Sequence, residues 1–421
     1  MLSRYICAFA LSMSMSATAL AAKLYIPMNA DDQTNHLKAY GIAYLALANG
    51  LKVDWLLNYD GGAFSMEQTN EVERICKLRD VSYNIMADAQ YDGIVQKIMD
   101  PDFNGDIIQL EKAPKVAIYT PPGKLPWDDA VTMALEYAEI PYEKVYDDEL
   151  LESKLADYDW LHLHHEDFTG QFGKFWAAYR NAQWYIDDQK LQETMAAKHG
   201  YDKVSQLKLA VAKKIRDFVA GGGYLFAMCS ATDSYDIALA AEGTDICEVP
   251  FDGDGMDPNA QNKLDYTRSF AFKDFILEQN PMVYEYSNID NTMLRRIPAA
   301  TDYFTLFTFS AKFDPVPSML SQNHTSTVKG FMGQTTSFRK DVIKSNVVVM
   351  GENKAANEAR YIHGEFGKGT WTFYGGHDPE DYQHQIGDPH TDLSLHPTSP
   401  GYRLILNNVL FPAAKKKHRK T

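Results

Sequence analysis

VSQLKLAVAKKIRDFVAGGGYLFAMCSATDSYDIALAAEG, residues 204–243, decides the reading of this chain. Leu207, Val211, Ile215 and Phe218 recur at helical spacing, with Lys208, Lys213, Lys214, Arg216 and Asp217 on the opposite face and Ser205 as an N-cap. Gly221, Gly222 and Gly223 end that helix, because glycine enters the left-handed C-cap conformation without steric penalty. Tyr224–Met228 is short and wholly apolar, the pattern of a strand buried on both faces. Ser230, Thr232 and Asp233 can each cap a second helix running through Ile237–Ala241. Cys229 therefore falls at the carboxyl end of a central strand, just before a helix N-terminus. Backbone N–H groups and the helix dipole there favour a thiolate. The competing reading of Cys229 is a small buried apolar residue without chemistry.

The same grammar extends outward. Val116–Tyr119, Tyr142–Tyr146 and Trp160–His164 read as strands, separated by helices over Asp128–Glu139 and Asp147–Leu155. Nearer the start, strands at Lys23–Met28 and Val53–Asn58 flank a helix through His36–Asn49, and Glu67–Leu78 and Tyr91–Met99 read as helices. Alternating strands and helices imply an α/β fold with a doubly wound, mostly parallel sheet. The expected organisation is an N-terminal α/β unit at 22–112, a larger domain at 113–412 and a basic tail at 413–421. Residues 170–200 are aromatic-rich and read as a lid or packing platform.

The chain has 421 residues, 45% of them hydrophobic and 23% charged, as in soluble globular proteins. Its formal charge of −15 argues against nucleic acid or anionic lipid as a main partner. Residues 1–21 read as a signal peptide: Arg4, a mostly apolar run, then Ala19-Leu20-Ala21, with cleavage after Ala21. The expected location is periplasmic or secreted. No later stretch reaches the ~20 apolar residues of a membrane span. Three cysteines follow the cleavage point, Cys76, Cys229 and Cys247. An odd number leaves at least one thiol unpaired. A Cys76–Cys247 bridge is compatible with a free Cys229, but spacing leaves the pairing open.

Three constellations carry chemistry. Cys229 is the first. The second is Gly376-His377-Asp378-Pro379-Glu380, after the strand Trp371–Tyr374. A nucleophilic thiol needs a base, and the base is best oriented by a carboxylate; His377 with Glu380 or Asp378 supplies both. The third is His162-Leu163-His164-His165-Glu166-Asp167. Alternation sets His162 and His164 on one face of a strand, with His165 and Glu166 in the loop beyond. His164, His165 and Glu166 are expected to contact substrate. Imidazole and carboxylate also suit zinc, which keeps a metal site as an alternative; no HExxH and no paired-cysteine site occurs. The acidic turn Asp252-Gly253-Asp254-Gly255 lacks the spacing of an EF-hand loop.

On the stretches 36–44, 159–170, 219–233 and 376–380, nearly the whole chain resembles exported bacterial proteins common in the Bacteroidetes and often labelled "asparagine synthetase B". ATP-dependent asparagine synthesis does not fit these residues. Such synthetases expose an N-terminal cysteine, whereas Leu2 follows Met1 here, and no Ser-Gly-Gly-x-Asp-Ser loop is present. At the level of fold, the chain resembles class I glutamine amidotransferase-like domains, the PfpI-type and ThuA-like groups among them. Their Gly-x-Cys-x-Gly elbow matches Ala227-Met228-Cys229-Ser230-Ala231, and their late His-Pro-Glu matches His377-Asp378-Pro379-Glu380 with one insertion. The resemblance implies a cysteine-dependent hydrolase of an amide or related carbon–nitrogen bond. Cys229 would be nucleophile, His377 base and Glu380 its orienting acid, with Ser230 giving an oxyanion N–H and Asp378 near the substrate. No cofactor and no metal enter that expectation, and the partner is a small-molecule or glycan-type substrate. A non-enzymatic ThuA-like carbohydrate-binding protein and a histidine-cluster metallohydrolase are the alternatives.

Overall fold

A computed structural model of the chain describes residues 22–122 and 129–415. The expected signal peptide, most of the basic tail and Asp128 at the expected helix start lie outside the described residues. The protein is α/β, with a mixed, partly parallel ten-stranded sheet and a small N-terminal antiparallel sheet.

The small sheet holds β1 (Ala22–Ile26), β2 (Val53–Leu57), β3 (Phe64–Glu67), β4 (Asn84–Ala87) and β5 (Asp106–Leu110) in the order β4-β1-β3-β2-β5. Every pairing in it is antiparallel. This corrects the parallel reading of the N-terminal unit. The turn at Asp60-Gly61-Gly62 returns the chain directly as β3, a strand the helical pattern at 67–78 concealed. Antiparallel neighbours need only such a turn, whereas parallel ones need a crossover.

The large sheet holds β6 (Val116–Tyr119), β7 (Glu143–Val145), β8 (Trp160–Leu163), β9 (Tyr224–Met228), β10 (Tyr303–Leu306), β11 (Thr327–Lys329), β12 (Phe338–Arg339), β13 (Val348–Asn353), β14 (Glu358–Phe366) and β15 (Gly369–Tyr374). Their order is β11-β10-β13-β14-β15-β9-β8-β6-β7, with β12 beside β14. Only β15-β9-β8-β6-β7 run parallel. The other half is antiparallel, so the sheet is less parallel than the alternating pattern implies. The segment after β9 contributes hairpins and short strands after the helix Ala231–Ala240.

Within the parallel half, β6, β8, β9 and β15 are buried on both faces, as their apolar sequences require, while the edge strand β7 is largely exposed. Phe226 and Met228 of β9 enter one core, together with the helices Ala130–Ala138 and Pro400–Leu410. Leu225 and Ala227 enter the other, under the helices Val204–Gly221 and Ala231–Ala240. The first helix of that second layer is capped from Lys203, so Ser205 lies inside it. The N-terminal sheet shares the first core through the helix His36–Ala48. Gly41 makes this docking possible: a Cβ there would lie 1.8 Å from the carbonyl oxygen of Ala138. Gly41→Ala is expected to destabilise the protein by about 1–3 kcal/mol, the usual range for overpacking, as a lowered urea midpoint.

Cys76, Cys229 and Cys247 are all buried free thiols, so no Cys76–Cys247 bridge forms. Cys76 lies in the core shared with the N-terminal sheet and Cys247 in the opposite core. At the acidic turn, the ammonium of Lys203 pairs with Asp245 at 2.5 Å and Asp252 at 3.0 Å, and also with Asp254. That ammonium supplies the positive charge a calcium ion would otherwise bring. No helix among the described residues is long and apolar enough to cross a membrane.

Two buried histidines couple stability to acid. The Nε2 of His36 lies 3.0 Å from the Met28 carbonyl, and burial, with Arg403 beside it, lowers its pKa to about 3. Burial lowers His363 to about 4. Both are neutral in the fold above the ordinary histidine value of 6.5, where they leave stability intact. As pH falls below 6.5 the unfolded chain takes up protons that the fold refuses. Stability is then expected to fall by up to about 1.4 kcal/mol per pH unit for each histidine, ending as the folded values are reached. Urea midpoints at about pH 7 and about pH 4.5 check this; a level midpoint would rule it out.

Candidate functional site

The site forms at the carboxyl ends of three adjacent parallel strands, β8, β9 and β15. Parallel sheets place ligands at this edge. Cys229 follows β9 in the middle. His164 and His165 follow β8 on one side, and Gly375-Gly376-His377 follow β15 on the other. Two backbone bonds lock these ends together: Cys229 N–H donates to the Gly376 carbonyl at 3.2 Å, and Ala231 N–H to that of His164 at 2.9 Å.

Cys229 has φ +50°, left-handed and strained for a non-glycine residue, as a tight strand-to-helix elbow requires. Its sulfur accepts the N–H of Gln334 at 3.3 Å. Burial pushes the thiol up to about 11, although the N–H groups of Gln334, Ser230 and Thr335 pull the other way.

The histidines draw together more closely than the dyad expectation needs. His164 and His377 have ring centroids 4.5 Å apart, His164 and His165 5.0 Å, and His377 stacks on His384 at 4.8 Å. One ring nitrogen each from His164, His165 and His377 fall within 4.8 Å of one another. Burial, reinforced by the neighbouring imidazoles, holds His165 and His377 well below the usual histidine range, so both are neutral lone-pair donors. Both His377 ring nitrogens and Nε2 of His164 are buried without a hydrogen-bond partner. Such groups are costly unless something binds them.

Asp129 organises this cluster and has no counterpart in the sequence reading. It caps the helix Ala130–Ala138, accepting the N–H of Val131 at 2.7 Å. The same oxygen lies 3.1 Å from Nδ1 of His164 and 3.3 Å from Nε2 of His162. Burial alone would raise the Asp129 carboxyl, but the two imidazoles hold it well below the usual carboxylate range. An ionised Asp129 3.1 Å from Nδ1 favours the His164 tautomer with its proton there, which leaves Nε2 as the lone-pair nitrogen. An Asp immediately before an apolar helical run is the signal that could have found it.

The remaining expected residues separate. Glu380 pairs with His396 at 3.1 Å and so does not orient His377. The Asp378 carboxylate accepts from Tyr402 at 2.8 Å and Thr391 at 2.7 Å, which ties down its loop. The inserted residue between His377 and Pro379 turns both acids away from the imidazole. Ser230 is buried beside the thiol, its backbone N–H among those facing the sulfur. Glu166 accepts the N–H of His164 at 2.9 Å, and burial pushes its carboxyl up to about 8. A cavity of about 870 Å³ opens over the cluster, lined by Cys229, His165, His377 and His384 and walled by Phe175, Tyr179 and Tyr284. The aromatic residues from the expected platform thus form one side of the site.

No protein-family model matches the chain, and no curated protein matches it. Solved structures are similar to it, among them two from Salmonella. The cytoplasmic protein STM3548 from Salmonella typhimurium is 10% identical with a TM-score of 0.34, over 72% of this chain and 100% of that one. The cytoplasmic protein STM1381 from Salmonella typhimurium LT2 is 13% identical with a TM-score of 0.32, over the same shares.

Proposed function

We propose that the protein is a metal-dependent hydrolase of an amide or related carbon–nitrogen bond, with a zinc-class divalent cation held by His164, His165 and His377. The observation that carries this reading is the convergence of three imidazole nitrogens within 4.8 Å of one another, His165 and His377 among the residues lining the cavity. Tetrahedral zinc with bonds of about 2.0–2.1 Å asks for nitrogens ~3.3 Å apart, within reach of small rotamer shifts. Three histidines also leave a coordination position open, as catalytic zinc sites do. A cation there would supply Lewis acidity at neutral pH. The chain's own residues do the rest. Asp129 orients His164 as a carboxylate behind a zinc-bound imidazole does. Glu166 accepts the His164 N–H at 2.9 Å and so fixes the backbone that presents the two β8 histidines. The aromatic wall packs the substrate and excludes water.

A second reading keeps Cys229 as nucleophile in a class I amidotransferase-like elbow, and its strained φ of +50° favours it. The raised thiol pKa and the absence of an orienting acid for His377 weigh against it. The export reading of residues 1–21 fits either, since zinc and thiol hydrolysis both proceed without ATP.

Equilibrium dialysis of the purified chain against micromolar zinc, followed by elemental analysis, tests the choice. About one zinc per chain is expected, with hydrolysis of the amide 4-nitroacetanilide abolished by chelator and retained by Cys229→Ser. A chain that binds no zinc, or whose turnover vanishes in Cys229→Ser and ignores chelator, would overturn the metal reading.

A further inference from the structure

The protein is acidic, with 56 Asp and Glu against 41 Lys and Arg. The cavity above the histidines departs from this: its described lining includes Lys174, Arg295 and Arg296 and no Asp or Glu. Arg295 is already neutralised, by Asp302 at 2.8 Å and Glu358 at 2.7 Å. Lys174 and Arg296 are not; among the described residues neither lies within ion-pair distance of a carboxylate. Lys174 is 1% exposed, and its ammonium donates only to the carbonyls of Glu278 at 2.9 Å and Asn280 at 3.3 Å. An ammonium has three donors, so one remains. Burial lowers Lys174 only to about 8, which keeps it charged at neutrality. Arg296 uses Nη1 on the carbonyls of Met293 and Arg295, at 2.9 and 2.7 Å, leaving its outer nitrogen for the cavity mouth. Phe175 packs against Tyr284 and Tyr179, at centroid distances of 5.7 and 6.0 Å, to form an apolar face beside these cations.

We infer that the substrate is an anionic amphiphile: a carboxylate or phosphate group bound by Lys174 and Arg296, joined to a flat apolar body lying on Phe175, Tyr179 and Tyr284. Glu278, Asp167 and Glu285 act on the Lys174 ammonium only from beyond ion-pair distance, and the Phe251 ring lies 5.9 Å from it; a ligand anion in direct contact offsets the remaining cost of burying the charge. The carboxylate-free lining also repels nothing negative, whereas the molecular surface as a whole does. The scissile bond's place over the histidines rests on the metallohydrolase reading; the anion site does not.

The full chain, stripped with chelator and separately loaded with zinc, is titrated calorimetrically with phenylacetate, phenylphosphonate and the neutral isostere phenylacetamide. At least one anion is expected to bind about tenfold or more tighter than phenylacetamide in both metal states. Which anion binds tighter separates a carboxylate-bearing from a phosphate-bearing substrate. Arg296→Gln, at an exposed position, is expected to remove most of the preference without loss of folding, and Lys174→Gln the remainder. Equal affinities, a preference present only with zinc, or no anion binding up to about 10 mM would overturn the inference. A chain that takes up no zinc yet keeps the anion preference would overturn the metal reading alone.

Discussion

His377→Ala is expected to lower zinc affinity by more than about 100-fold, the upper range for losing only a supporting residue around a metal. His377 contributes one of three nitrogens, and both of its ring nitrogens are buried without another partner. Its removal leaves two ligands, both from the β8 end, too few to hold the ion against water. Asp129→Asn is expected to cost about 10–100-fold, because an amide no longer fixes the His164 proton on Nδ1 by charge. Zinc titration with a competing chromophoric chelator reads both variants. Circular dichroism of the metal-free proteins separates ligand loss from unfolding. Unchanged zinc affinity in His377→Ala would place any bound metal elsewhere.

Glu358→Ala is expected to destabilise the fold by about 3–5 kcal/mol, the cost of breaking a buried ion pair from one side. The Glu358 side chain is fully buried and pairs with Arg295, itself 3% exposed, at 2.7 Å. It also accepts from Asn291 at 3.1 Å and Ser337 at 2.8 Å. The arginine would keep Asp302 as a partner at 2.8 Å, but Asn291 and Ser337 would lose theirs. Arg360, fully buried nearby with Nε and Nη1 unpartnered, would lose a compensating charge as well. The segment carrying Met293, Arg295 and Arg296 forms a wall of the cavity, so anion binding should weaken along with stability. Urea unfolding of Glu358→Ala beside Glu358→Gln checks this. Glutamine keeps the shape and part of the hydrogen bonding, and it should fall between alanine and wild type. A midpoint unchanged in both would mean that the network contributes nothing.

The elements around Cys229 were legible because their signals are local. Helical spacing at 207–218, three glycines, five apolar residues and a run of capping side chains lie within 40 consecutive positions. The strand Tyr224–Met228 and its flanking helices form where those signals put them. The antiparallel strands β3 and β5 escaped because they are four and five residues long and lack a clean alternation. Residues 271–350 escaped because their short strands and loops act through carbonyls and N–H groups, as Gln334 does, which any residue supplies.

For the site, the sequence alone determined which side chains stand at strand ends: Cys229, His164, His165 and His377. That follows from short-range periodicity and turn residues, which depend on near neighbours in the chain. Only the tertiary structure decided their roles. The order β8-β9-β15 carries His377 across the end of β9 to His164, and the helix starting after Asp129 brings a carboxylate to the same imidazole. It also sends Glu380 to His396, and it buries the Cys229 thiol, which raises its pKa. Strand order and side-chain partners are set by contacts between residues distant in the chain, and desolvation by everything packed around them. Neither is written in the residues that flank a motif.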